Sequence, residues 1–194
     1  MNTWTKRSFI VALACVFCTL ATSTLPAAPK KAVTEDDLIA ELASPNEKTV
    51  NAALQKLEKQ FPTSTKAFPE MKRLLADSRS SVRRKAGRVL GVLHAEVNET
   101  DLKNITAMFK AADPQETMDA LKSLRGLKAE STVPEIVPLL QNAHVGIIRD
   151  ACRTLAVLGN KSHIAAIEPL LSHPDDKVKK DAQDAIFALK AKSA

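Results

Sequence analysis

The chain has 194 residues, 45% hydrophobic and 26% charged, which supplies enough apolar side chain for one domain with its own core. Six phenylalanines, one tryptophan and no tyrosine argue against a surface that stacks nucleic-acid bases, and three cysteines argue against a disulfide framework. The formal charge of +6 favours anionic partners only slightly.

The first residues read as targeting. Lys6 and Arg7 precede an apolar run from Phe9 to Leu20, and small and polar residues follow through Ala28. This is the layout of a cleavable secretory signal, and the run is short for a spanning helix, which needs about 20 apolar residues. Residues 1–28 are therefore assigned to signal and cleavage region, with the cut expected after Ser23 or Ala27. The expected location is periplasmic or secreted, with no lasting membrane anchor. Cleavage removes Cys15, Cys18, Lys6 and Arg7, so the mature chain keeps Cys152 alone and its charge falls to +4.

After a linker at 29–34, the sequence predicts paired helices in series. Thr34, with Asp37 three residues on, opens a helix that stops at Ser44-Pro45. Asn46 or Thr49 opens a second through Val50, Leu54 and Leu57, and Pro62 ends it. The pattern returns in units at about 35–61, 66–95, 101–128, 132–159 and 163–190, leaving a tail at 191–194. In each unit an apolar pair closes the first helix, with its second member at Ala43, Leu75, Phe109, Leu140 and Leu171. Eleven residues later comes the central residue of an apolar stripe on the second helix: Leu54, Ala86, Ala120, Ala151 and Ala182. The units are spaced 32, 34, 31 and 31 residues apart, so length varies only at the junctions. Stacked helical hairpins require that economy, because each hairpin buries its apolar face only against its neighbours. Gly126 and Gly159, near helix ends, are expected to form left-handed caps.

Residues 74–93, LLADSRSSVRRKAGRVLGVL, resemble a hairpin of the HEAT repeat family in its short HEAT-like form. The resemblance spans about 35–190 and implies an all-α solenoid of about five antiparallel hairpins. Asp77 and Arg83 stand where that family's ladder-forming acid and base usually lie. Unit four has Asn142 and Ile148 there, unit five His173 and Lys179, and units one and three depart at both places. The family serves many partners, and its relatives include two enzyme groups, the HEAT-like DNA glycosylases and the phycobilin lyases.

Two residues after the stripe position stand Lys56, Arg88, Lys122, Arg153 and Asp184; two before it stand Ala52, Arg84, Met118, Arg149 and Lys180. These positions share one face, so stacking predicts a basic ridge of Lys56, Arg84, Arg88, Lys122, Arg149, Arg153 and Lys180 along the inner, second-helix surface. Such a ridge suits an acidic protein or peptide. The competing reading is a solvated face neutralised by Asp119, Asp150 and Asp181, through i, i+3 pairs such as Asp119–Lys122 and Asp150–Arg153. Four scattered histidines and one cysteine give no metal-ligand spacing. No nucleophile elbow or phosphate loop is present, so neither metal, cofactor nor catalytic residue is assigned. The sequence thus points to a non-catalytic protein-binding scaffold of the cell envelope. The alternatives are a structural component assembling through its solenoid ends, and a lyase- or glycosylase-type enzyme.

Overall fold

The computed structural model describes residues 33–192, and the signal, its cleavage region and most of the linker lie outside them. Ten α-helices follow in order, with no strand among the described residues. They are α1 (Glu35–Glu41), α2 (Glu47–Gln60), α3 (Phe68–Arg73), α4 (Ser80–Val92), α5 (Glu99–Ala107), α6 (Pro114–Gly126), α7 (Val133–Ile136), α8 (Val145–Leu158), α9 (Ile164–Ile167) and α10 (Asp176–Ala191). None of them is long and apolar enough to cross a membrane. The odd-numbered helices are short and the even-numbered ones run 13 to 16 residues.

The difference has a local cause in two units. Pro138 and Pro169 fall where an α-helix would need their N–H groups, so the α7 and α9 segments tighten into 3-10 turns at Val137–Gln141 and Glu168–Ser172. Three of the second helices, α2, α6 and α10, begin on side-chain caps. Asn46 accepts from the Lys48 N–H at 2.9 Å, Asp113 from Gln115 and Asp175 from Lys177. The Thr34–Asp37 capping box is present at α1, and Asn98 with Asp101 builds another at α5.

Turn residues explain what the acid position of the hairpin does. Asp77 accepts the backbone N–H of Arg79 at 2.9 Å, Asn142 that of His144 at 2.8 Å, and the Nδ1 of His173 that of Asp175 at 3.0 Å. Ser44 does the same for Asn46 in the first unit. A short acceptor side chain two residues ahead of the helix start fixes the turn. Four different residue types fill that one role.

The stripe residues Leu54, Ala86, Ala120, Ala151 and Ala182 are all fully buried. The apolar pair closing each first helix behaves less uniformly. Its buried member is the first one in units one, three and five, where Leu42, Met108 and Leu170 face the core while Ala43 and Leu171 are exposed. Successive second helices pack directly on one another, α2 on α4, α4 on α6, α6 on α8 and α8 on α10, while first helices meet more sparsely through their 3-10 ends.

Alanine at the stripe and glycine at α4–α6 let these helices approach. A Cβ built on Gly126 would lie 2.5 Å from the carbonyl oxygen of Gly91, and one on Gly91 would lie 2.9 Å from that of Ser123. Gly126 is therefore kept for close approach, which corrects its expected role as a left-handed cap. Gly159 is not left-handed either, with φ −77° and ψ 179°. The left-handed positions after α4 and α6 are held by His94 (φ 50°) and Lys128 (φ 53°). At both sites the next N–H closes a six-residue bond, Ala95 to Leu90 and Ala129 to Leu124, so the helix ends are Schellman motifs without glycine.

Candidate binding surface

The second helices bring the ridge residues onto one layer, and the structure gives most of them acidic partners. Arg84 meets Asp113 at 2.9 Å, and its Nε lies 3.1 Å from Asp119 but off the line of a hydrogen bond. Arg88 turns back to Glu58, with both terminal nitrogens donating. Lys122 lies 3.5 Å from Asp119 and 3.9 Å from Asp150. Arg149 reaches Asp181 at 2.6 Å, and Arg153 lies 3.1 Å from Asp181 and 3.5 Å from Asp150. Lys56 and Lys180 form no ion pair among the described residues.

The i, i+3 contacts Asp119–Lys122 and Asp150–Arg153 are thus present, but the arginines make their shorter contacts between units, whereas Lys122 lies nearer to its own unit's Asp119. Apart from Arg88, which pairs with the preceding unit, a base at two before or two after the stripe position in units two to four meets the acid one before the stripe in the next unit. That rule relates Arg84 to Asp119, Lys122 to Asp150, and Arg149 and Arg153 to Asp181. The carboxylates of Asp150 and Asp181 are nearly buried, whereas Arg153 is about half exposed. Each half-exposed pair contributes on the order of 0–1 kcal/mol, so the ladder fixes register more than it adds stability.

Unit two breaks the rule. The residue one before its stripe is Lys85 where units three to five have aspartate, and it forms no ion pair among the described residues. It is half-buried beside Arg88 and Lys59. Burial first, then the Arg88 guanidinium, hold its ammonium below the usual lysine range. Lys85 was legible in the repeat alignment as the odd member of an Ala, Lys, Asp, Asp, Asp column. The partners Glu58 and Asp113 were not, because they lie off the stripe-adjacent positions.

Asp77 and Arg83 do not pair side chain to side chain. Asp77 grips Arg79 at 2.8 and 2.7 Å, and Arg79 donates onward to the Ser44 and Pro45 carbonyls of unit one. Hydrogen bonding from Arg79 holds the Asp77 carboxyl below the ordinary range. Arg83 donates to the carbonyls of Asp77 and Ser78 and to the almost fully buried Glu116 of unit three. These two residues therefore tie units one, two and three together. Cys152 is fully buried next to the stripe, and burial pushes its thiol up to about 12.

The architecture matches solved repeat proteins. The structure of the complex of CpcE and CpcF of phycocyanin lyase from Nostoc sp. PCC7120 aligns with a TM-score of 0.71 and 23% identity, over 89% of this chain and 71% of that one. The fold is an α-solenoid of the HEAT and armadillo type. A designed armadillo repeat protein in complex with the peptide (KR)4 aligns at 0.60 with 20% identity, over 79% and 80%. Computationally designed armadillo repeat proteins for modular peptide recognition align at 0.60 with 20% identity, over 79% and 81%. No family model matches the sequence, and no curated protein matches it.

Proposed function

We propose that this chain is a protein-binding scaffold that receives a polypeptide segment along its second-helix layer. The observation that carries the reading is the ladder: a row of partly exposed Arg and Lys side chains held in fixed register by largely buried carboxylates of neighbouring units. Fixed polar groups lose little freedom when a partner arrives, which favours binding. The likeness to armadillo proteins designed for peptide recognition supports the same reading. The ridge residues Lys56, Arg84, Arg88, Lys122, Arg149, Arg153 and Lys180 are its proposed contacts. The amino-terminal segment is the ground for placing the protein in the cell envelope.

Reversing the charge of Arg88 or Arg153 would set a carboxylate against Glu58 or against Asp150 and Asp181, confusing binding with folding. A photo-crosslinking amino acid placed singly at Lys56, Arg153 or Lys180 avoids this, with Glu135 and Glu168 on first-helix segments as comparison positions. Polypeptide crosslinks in the native envelope fraction should come from the second-helix positions. Crosslinks only from Glu135 and Glu168 would refute the proposed surface.

Assembly through the solenoid end is favoured by one observation, Phe187 on α10, which is 78% exposed. Light scattering of the full chain against Phe187→Ser tests it, and a mass that does not rise with concentration in the parent removes that reading.

A further inference from the structure

Asn51, Ser81, Arg84, Lys85, Arg88 and Asp119 line a cleft of about 290 Å³ where α2, α4 and α6 meet. We infer that this cleft takes a single carboxylate side chain of the bound polypeptide, with Lys85 as its ion partner. The inference rests on the polypeptide-binding reading above and adds where an acidic residue is read.

Charge accounting along the ladder leads there. Arg84 is engaged by Asp113 and Asp119, and Arg88 by Glu58. Asp119, Asp150 and Asp181 each meet at least one base, so of the ridge bases in units three to five only Lys180, in the last unit, is left without an ion pair among the described residues. Lys56 stands in the register that Lys122 and Arg153 use to reach the next unit's aspartate, but the residue at that register in unit two is Lys85, with Arg88 and Lys59 beside it. The excess positive charge of the layer's interior therefore gathers at the α2–α4 step. Glu58, the acid that offsets it, is already spanned by both terminal nitrogens of Arg88.

The same layout selects the kind of anion. A polyanion with charges every few ångströms would pair at Lys85 and then cross units whose bases are already neutralised by Asp119, Asp150 and Asp181, so its further charges gain little. A polypeptide with one acidic side chain among neutral residues gains the same single pairing without desolvating charges that find no partner. The cleft wall is fixed around it, since the Ser81 hydroxyl accepts from the Asn51 amide and donates to Glu47, and Arg84 and Arg88 are clamped. Half-burial of the ammonium makes its pairing with a carboxylate stronger than at a fully solvated lysine.

The test titrates isotope-labelled full-length chain with two blocked decapeptides of alanine, glycine and threonine, identical except for one central Glu or Gln. Lysine side-chain and backbone resonances are followed together. The Glu peptide should shift Lys85, Asn51 and Ser81 and raise the Lys85 titration midpoint, binding about tenfold more tightly than the Gln peptide. Lys85→Gln, which removes no ion pair, should bring the Glu peptide down to the level of the Gln peptide, while Lys161→Gln, at an exposed position outside the ridge, should leave the ratio unchanged. Equal binding of both peptides, or shifts confined to units three to five, would overturn the Lys85 assignment and leave the polypeptide surface standing. No response of any second helix to either peptide would overturn both. Inorganic polyphosphate competing as well as the Glu peptide would overturn the selection for an isolated carboxylate.

Discussion

Gly126→Ala places a methyl group where the α4 and α6 backbones nearly touch. The new Cβ would lie 2.5 Å from the Gly91 carbonyl oxygen, 2.7 Å from its carbon and 3.0 Å from its Cα. All three are main-chain atoms of a buried helix, so no rotamer change can relieve the contact. Restoring ordinary van der Waals distance needs the helices to part by about 1 Å, which loosens the packing of Ser123 on Gly91 as well. Overpacking of this kind costs typically about 1–3 kcal/mol. Ala gains little over Gly in helix propensity here, because Gly126 is the last residue of α6. For a domain of this size about 2 kcal/mol corresponds to a loss of roughly 4–8 °C in Tm. Gly87→Ala is the matched control. Its Cβ would meet the Ser123 hydroxyl at 3.1 Å, a side-chain contact, and its mid-helix position gains roughly 0.8–1.0 kcal/mol in propensity. Thermal unfolding by circular dichroism should show Gly126→Ala well below the parent and Gly87→Ala close to it. Equal melting of the two variants, or a Gly126→Ala as stable as the parent, would refute the close-approach account.

Lys128→Gly should stabilise the fold by about 0.5–1 kcal/mol, because glycine adopts the left-handed conformation at φ 53° without the side-chain penalty; a lower denaturation midpoint would count against it. Asp77→Asn should lower Tm at neutral pH. The folded carboxyl titrates below its unfolded value of about 3.9, so its contribution is present above that pH and is lost as pH falls through the folded pKa. The gap between Asp77→Asn and the parent should therefore close in acid, and a gap independent of pH down to acid unfolding would contradict the Arg79 clamp. Iodoacetamide at pH 8, with sites read by mass spectrometry, should leave Cys152 unmodified in the native chain and alkylate it in denaturant. Rapid native labelling of Cys152 would show that the α8–α10 interface opens.

The solenoid was legible because its rule is arithmetic. The constant eleven residues between first-helix pair and stripe marks the hairpin, and the stripe residues it names are among the fully buried residues of the second helices. The charged face was only half legible. Helical period places Arg149 and Arg153 on one side, yet it is silent on where the next unit's Asp181 falls, because that distance depends on how units stack. Gly126 shows the same gap from the packing side. A glycine near a helix end reads as a cap, and only the position of α4 reveals that it clears a neighbouring carbonyl. His94 and Lys128 hide the caps themselves, since neither residue type announces a left-handed backbone.

The ladder also has a grammar. Unit four carries its acid, Asp150, and its bases, Arg149 and Arg153, in the positions that a following unit and a preceding unit need. In charge terms it can follow a copy of itself, so tandem duplication of that 31-residue segment would lengthen the array without a mismatch. Unit two cannot, because Lys85 would stand against the bases of its own duplicate. Growth of the array by duplication is thus matched in charge at unit four and opposed at unit two, the unit whose interior lysine has no acid of its own.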